Sequence, residues 1–347
     1  MNPFLSIVVP FHNSAEKCRP LLMALTELRP EDEVELIFVD DGSTDRTLDG
    51  LRDFKAASRC QVTIVERENG GPGAAKNSGL DQASGRWVWF VDSDDVIDLK
   101  AITIAKDAGW PRTDIIAWEI HHPHPGVACS LPSGLHEIDQ DAAPPTGLQT
   151  LPAKWFSMDF LRRTGLRFPE YCVFEDVPIG EFVLPLLVTS YFKSDFRAYE
   201  AIAGPSVTRG ASGNPRFFDR LRTIALGRAY LEGAKLSPAA RWEFDKAFVR
   251  LFLWYSIALS RRPGASWVTA ARVMRQYREE AARFGITIDP FDTYPGRPHS
   301  GLVARLLWLL AALLPSQKRY FHELRQRAWG REIEWTVPLM PGHWTKG

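Results

Sequence analysis

Short apolar runs rich in β-branched residues recur through the first 120 residues, each bounded by turn-forming residues. FLSIVVP (4–10), VELIFVD (34–40), CQVTIVE (60–66), RWVWFVD (86–92) and TDIIAWEI (113–120) have the length and composition of buried strands. Segments of helical composition separate the first four, and another follows Asp98. This alternation predicts βαβ units: an α/β domain with a mostly parallel twisted sheet and flanking helices. Ligands of such sheets sit beyond the carboxyl ends of the strands, so chemistry is expected directly after each run.

Further along, the pattern changes. Residues 121–150 are rich in Pro, Gly and polar residues and read as a long loop or small excursion. AKWFSMDFLRRTGLRFPEYCVFEDVPIGEFVLPLL (153–187) reads as a helix, a turn, an acidic pair and a second helix. From about Pro215 to Gln276 the pattern turns helical and aromatic. Trp242, Phe244, Phe248, Phe252, Trp254 and Tyr255 recur at roughly helical spacing and are expected in a core. These shifts place a boundary near residue 210, between a domain of 1–210 and a helical C-terminal region of 211–347.

Composition adds an asymmetry. The chain holds 42 basic and 42 acidic residues, yet residues 205–347 carry 23 Lys and Arg against 11 Asp and Glu, a net of +12. A basic half suits an acidic partner: lipid, phosphate, or the acidic N-terminal half itself. GLVARLLWLLAALLPSQKRYFHELRQR (301–327) joins an apolar run to a basic one. It is too short to span a bilayer, but Trp308, Arg305, Lys318 and Arg319 suit peripheral membrane contact. A helix buried in its own bundle, or against a dimer partner, reads equally well. Cys18, Cys60, Cys129 and Cys172 match no metal spacing, and no leader-like N-terminus or long apolar run stands out. The expectation is a cytoplasmic protein, at most peripheral at the inner face of the membrane. His121, His122 and His124 fall among prolines and read as loop rather than metal site. No nucleic-acid module is present, so nucleic acid is not an expected partner.

The residues after the strands carry the chemistry. Strand one ends in Pro10-Phe11-His12-Asn13 and strand two in Asp40-Asp41-Gly42-Ser43-Thr44-Asp45. Gly42 permits a sharp turn, Ser43 can cap the next helix and Asp45 can sit in its first turn. Beyond turn chemistry, Asp41 offers an acceptor to a base N–H or a ribose hydroxyl. After strand three, NGGPGAAKNSG (69–79) forms a Gly-rich helix entry that lets backbone approach a phosphate, with Lys76 adding charge. It is no P-loop, and no GxGxxG follows strand one, which disfavours a dinucleotide-binding domain. Ala75, Gly79 and Ala83 share one helix face, which close packing on the sheet would also explain. Strand four delivers Asp92, Asp94 and Asp95 within four positions. Solvent, helix capping or a divalent cation could each make that crowding tolerable; Mg²⁺ and Mn²⁺ take carboxylate and phosphate oxygens.

Together SIVVPFHN, FVDDGSTDRT, NGGPGAAKNSG and WVWFVDSDD resemble the family 2 glycosyltransferases, and the 153–179 segment resembles that family's stretch ending in a Glu-Asp pair. The resemblance covers about residues 4–210. It implies a GT-A fold and inverting, Mn²⁺- or Mg²⁺-dependent sugar transfer from a UDP-sugar or similar donor. The implied acceptor is a hydroxyl of a saccharide or lipid-linked molecule, in cell-envelope or exopolysaccharide synthesis. It also implies roles: Asp41 for the nucleoside base, with Pro10 and Asn13 lining that pocket, and Asp92 for the nucleotide or its metal shell. Asp94 would be the main metal ligand, and Lys76 stands where many members carry Arg. Asp176 would be the catalytic base, Glu175 its neighbour, and Arg209 in GPSVTRG (204–210) a diphosphate contact. Asp95 is left between a helix cap and the metal shell. Lack of a QxxRW motif implies non-processive transfer. Two rivals remain: a non-catalytic nucleotide-sugar-binding protein of the same fold, and a phosphotransfer enzyme using FVDDGSTD as a nucleophile loop. The latter's Asp-x-Asp would follow strand one, where this chain has PFHN.

Overall fold

The computed structural model describes residues 2–109, 112–122, 131–139, 142–145, 147–202, 218–232, 234–260, 267–287 and 298–329. They fall into two compact units. One comprises residues 1–140, 144–171 and 184–204, the other 141–143, 172–183 and 205–347.

The first unit is built on one sheet. Its strands are β1 (Leu5–Phe11), β2 (Val34–Asp41), β3 (Gln61–Arg67), β4 (Trp87–Phe90), β5 (Val96–Ile97), β6 (Ile115–His121), β7 (Gly134–Glu137), β8 (Lys154–Ser157) and β9 (Ser190–Glu200). They run in the order β3-β2-β1-β4-β8-β6-β9-β5, with β7 also pairing β9. The five strand-like runs of the sequence all form strands, and β1 through β4 are parallel as βαβ units require. The remainder is mixed. The short apolar run Lys154–Ser157, read above as the start of a helix, enters as β8 between β4 and β6 and is antiparallel to both. Two bulky aromatics, Trp155 and Phe156, favour a fully buried strand there.

The helices of this region are α1 (Arg19–Leu25), α2 (Thr47–Ala57), α3 (Pro72–Gln82), α4 (Lys100–Asp107) and α5 (Met158–Thr164). In the second unit α6 (Asp176–Pro178) leads into a π-helical turn, Ile179–Val183, and α7 (Leu184–Leu187) returns the chain to the first. Leu5, Ile7, Val9 and Phe11 alternate along β1 and join Leu36, Phe38, Trp89, Trp118 and Trp155 in one core. Trp155 lies 5.1 Å from Trp118 and 5.4 Å from Trp89 between ring centroids, and Trp89 lies 6.4 Å from Tyr199. One aromatic from each of β6, β8, β4 and β9 thus ties the mixed half to the parallel half.

The second unit is helical: α8 (Asp219–Tyr230), α9 (Pro238–Ser260), α10 (Trp267–Arg283), α11 (Pro298–Ala312) and α12 (Lys318–Trp329). Phe244, Phe248, Phe252 and Tyr255 are buried along α9 as their spacing predicts. Trp242 is not core: it is half exposed, because it lies off that stripe. The side chain of Trp254 lies outside the described residues. Residues 301–327 form parts of two helices rather than one. Trp308 does not face outward as an interfacial anchor would; it lies against α10, 5.8 Å from the Tyr277 ring and 4.4 Å from the Arg278 guanidinium. Leu307 and Ala311 share that buried face, while Leu306, Leu309, Leu310 and Leu313 are exposed. Among the described residues no helix is long and apolar enough to cross a membrane.

The small-residue face of α3 has a packing cause. A Cβ on Gly79 would stand 2.3 Å from Val8 Cγ1 and 3.2 Å from Val39 Cγ2. Gly79→Ala is therefore expected to push α3 off β1 and β2 and destabilise the fold by about 1–3 kcal/mol, despite alanine's better helix propensity. Denaturant unfolding measures this; an unchanged or raised midpoint would mean that α3 shifts freely.

Candidate functional site

Strand ends β1 to β4 converge on one edge, and hydrogen bonds join them there. At the end of β1 the backbone N–H of Asn13 donates to Ser43 Oγ (3.0 Å), and Asn13 Oδ1 accepts from the N–H of Thr44 (2.8 Å). Asn13 takes a left-handed conformation (φ 49°), which asparagine tolerates. His12 Nδ1 lies 2.8 Å from the Asp41 main-chain oxygen, and the amides of Asn13 and Asn69 each lie 3.2 Å from His12 Nε2. A proton on Nδ1 satisfies all three contacts. Pro10 pairs with Val39 inside the sheet. Gly42 makes the expected turn at φ +71°. Ser43 is not a helix cap, because its oxygen is committed to Asn13. Asp45 stands before α2 rather than in its first turn and accepts the Thr47 N–H (3.0 Å).

Asp41 is only 2% exposed. Its carboxylate accepts the N–H of Gly70 (3.0 Å) and of Gly71 (2.8 Å), and Arg67 Nη1 lies 3.1 Å away. Burial raises its pKa, and these donors oppose the rise. Asp41 thereby fixes the loop that enters α3. Of its four lone-pair directions three are used within the chain. Lys76, one turn into α3, is almost wholly buried and reaches Asp92 Oδ1 at 3.3 Å. Asn77 beside it holds the 168–170 segment through Phe168 N–H (2.9 Å), Phe168 O (3.0 Å) and Glu170 (3.0 Å).

The Asp92–Asp95 turn alternates. Ser93 and Asp95 are buried while Asp92 and Asp94 are half exposed. Ser93 Oγ lies 3.1 Å from Ser14 Oγ. One of the two roles expected for Asp95 is excluded: it caps no helix, since Asp98 accepts the first N–H of α4 (2.9 Å). It points away from its neighbours, accepting the Tyr199 hydroxyl (2.6 Å) and the Ile202 N–H (2.9 Å). Burial first, and the charge of Asp92 next, push its carboxyl up to about 7.

Among the described residues no three His, Cys, Asp or Glu side chains are grouped to hold an ion. The donor set fits a narrower role. Asp92 and Asp94 present hard oxygens only, which suits Mg²⁺ or Mn²⁺ whose remaining ligands are water and phosphate. Behind burial, the charge of Asp92 adds to the rise at Asp95, and that contribution is the kind a cation relieves.

Glu175 and Asp176 belong to the second unit. Phe174, directly before them, is held at φ 67°, a conformation that strains an aromatic residue. The Arg220 guanidinium lies over the Phe174 ring at 5.1 Å and over Tyr255 at 6.0 Å. Burial lowers the pKa of Arg220, and the charge of Asp176 works against that. Asp176 is the first residue of α6, and Glu175, buried, stands in the cap position with no side-chain cap bond. Arg209 and His124 lie outside the described residues.

The strand-end motifs left several participants unassigned. His12 lies within SIVVPFHN without a role, Arg67 stands just before NGGPGAAKNSG, and a cation closing β3 was a readable signal. Tyr199 and Arg220 carry no motif; each reaches its place through tertiary pairing alone.

Residues 6–108 match the family described as "Glycosyl transferase family 2". The poly(ribitol-phosphate) beta-N-acetylglucosaminyltransferase TarS of Staphylococcus aureus is 39% identical over 104 residues, 30% of this chain and 18% of that protein. The poly(ribitol-phosphate) beta-glucosyltransferase of Bacillus spizizenii is 40% identical over 101 residues, 28% of this chain and 16% of that protein. The matches thus span under a fifth of these relatives' length. In structure, S. aureus TarS 1-349 in complex with UDP-GlcNAc superposes with a TM-score of 0.60 at 20% identity, covering 94% of this chain and 92% of that one. The mannosyltransferase PcManGT of Pyrobaculum calidifontis, in complex with GDP-Man and Mn²⁺, gives 0.53 at 18% identity over 89% and 88%. These superpositions establish the GT-A fold.

The state of Asp95 has a consequence for pH. Its ordinary pKa is near 4, so between about 4 and 7 the folded protein holds a proton that the unfolded chain has released, and stability falls as pH rises across that window. In metal-free buffer the loss should be on the order of 2 kcal/mol from pH 5 to pH 7. Asp95→Asn cannot titrate and is expected to flatten the slope. Parallel curves from denaturant unfolding at several pH values would contradict this.

Proposed function

We propose that this chain, whose residues 6–108 match the family 2 glycosyltransferases, moves a sugar from a nucleotide-sugar donor to an acceptor hydroxyl with inversion. The observation that carries the reading is the gathering of Asn13, Asp41, Lys76, Asp92 and Asp94 on one sheet edge, whose loops are tied by the Asn13–Ser43, Asp41–Gly70 and Ser14–Ser93 hydrogen bonds and by the Lys76–Asp92 ion pair at 3.3 Å. That the TarS complex contains UDP-GlcNAc supports a UDP-sugar donor.

In this reading Asp41 accepts a base N–H through its remaining lone pair, and Pro10, Asn13 and His12 line the same pocket. Lys76 shifts part of its charge from Asp92 to the diphosphate. Asp94, with Asp92, would hold Mn²⁺ or Mg²⁺, which when bound supplies Lewis-acid stabilisation of the leaving diphosphate. Asp176 accepts the proton of the attacking hydroxyl, the neighbouring Arg220 favours its charged form, and Glu175 contacts the acceptor. Arg209 adds a diphosphate contact. Transfer is non-processive. The acceptor is a saccharide or a lipid-linked molecule of the cell envelope, and the relatives' names make a poly(ribitol-phosphate) one to include. The exposed Leu306, Leu309, Leu310 and Leu313, beside exposed Arg305 and Arg319, support peripheral contact with anionic lipid at the inner face of the membrane.

Release of nucleoside diphosphate from a panel of nucleotide sugars, with Mn²⁺, with Mg²⁺ and with chelator, tests the reaction. Metal-dependent release from one donor is expected, reduced about 100-fold or more by Asp94→Ala and by Asp176→Asn. Donor binding without release, for any acceptor offered, would favour the binding-protein rival.

Flotation with phosphatidylglycerol vesicles tests the lipid contact. The parent should float and a Leu309→Ser/Leu313→Ser variant should not; equal flotation would remove these leucines from the interface.

A further inference from the structure

Tyr199 is the penultimate residue of β9 and is buried, its ring against Trp89. Its hydroxyl meets two groups of the Asp92–Asp95 turn. It accepts the N–H of Asp92 at 3.2 Å and donates to Asp95 Oδ2 at 2.6 Å. Asp95 Oδ1 in turn accepts the Ile202 N–H at 2.9 Å, so the turn is fastened both to β9 and to the residues just after it. Between them, the backbone of β5 pairs with β9, Val96 with Glu200 and Ile97 with Tyr199. The turn also closes on itself, Asp95 N–H donating to Asp92 O at 3.2 Å.

This fastening sorts the three carboxylates. With Asp95 drawn inward and the Asp92 amide held from behind, the alternation of the turn leaves Asp92 and Asp94 at the surface of the edge. A loop this short and this charged would otherwise spread its carboxylates apart.

We propose that Tyr199 is a positioning residue, whose hydroxyl sets the Asp92–Asp95 turn so that Asp92 and Asp94 face a divalent cation and diphosphate together. The claim rests on the nucleotide-sugar reading above for its ligand, but not for its geometry. Groups that orient metal ligands from behind are commonly worth 10- to 100-fold in metal affinity.

Tyr199→Phe is the direct test, since phenylalanine keeps the ring packing on Trp89 and removes only the hydroxyl. Mn²⁺ binding in the presence of UDP, followed by calorimetry, is expected to weaken about tenfold or more. In turnover the effect should fall on the half-saturating Mn²⁺ concentration more than on kcat. Amide hydrogen exchange of the ligand-free protein should speed up at Asp92 and Ile202. Asp95→Asn, with one acceptor oxygen in place of two, should lie between the parent and Tyr199→Phe, and the double variant should be no worse than Tyr199→Phe alone. Val34→Ala serves as the comparison: it removes buried methyls at the start of β2, the end of that strand remote from Asp41, and should lower stability while leaving Mn²⁺ affinity unchanged. If Val34→Ala weakens Mn²⁺ as much, or if Tyr199→Phe leaves affinity and exchange as in the parent, the assignment is overturned. If the parent binds no Mn²⁺·UDP, the nucleotide-sugar reading fails. Exchange at Asp92 and Ile202 then decides alone: faster exchange upholds Tyr199 as the residue that sets the turn, and unchanged exchange overturns it.

Discussion

Carboxylates brought together at the end of a sheet repel one another unless each finds its own donors, and that requirement organises this edge. Asp41 is satisfied by the amides of Gly70 and Gly71 and by Arg67. Meeting that demand fixes where α3 begins, and therefore where Lys76 points. Lys76 in turn offsets Asp92. Asp95 turns inward to a hydroxyl from β9. The polar side chains at the edge are thus less a collection of ligands than a chain of mutual neutralisations, in which removing one donor leaves the next acid uncompensated.

What could be read from the chain itself follows the range of the interactions. The strands of the parallel half were legible because their apolar runs and turn residues are local, and Gly42 and Gly79 were legible because each has a backbone or packing demand that only glycine meets. β8 was not. Lys154–Ser157 is a four-residue strand whose identity depends on the gap between β4 and β6, and no periodicity marks that. The same holds for Asp95: DSDD is quotable, but which of its acids turns inward is decided by Tyr199, over one hundred residues away. Arg67 is the intermediate case, adjacent to a motif yet assigned a partner only when β2 and β3 lie side by side.

The helical unit shows the complementary limit. Its core stripe on α9 is periodic and was readable, whereas Trp242 was misjudged and Trp308 was left between two readings, because an aromatic residue does not announce which face of its helix is covered. The Glu175-Asp176 pair follows a phenylalanine held in a left-handed conformation, capped by an arginine from another helix. A backbone held against its preference ahead of two acids is a local cost sustained by the surrounding packing.

The insertion of β8 has a bearing on how the chain is made. β4 receives its first neighbour, β1, from residues already synthesised, but its second from a segment that follows β6. Until Lys154–Ser157 leave the ribosome, the Trp87–Phe90 strand stands as an open apolar edge on a nascent sheet. Such edges recruit other strands, so chaperone cover during translation matters most in that interval. A polypeptide ending near residue 108 would keep that edge permanently.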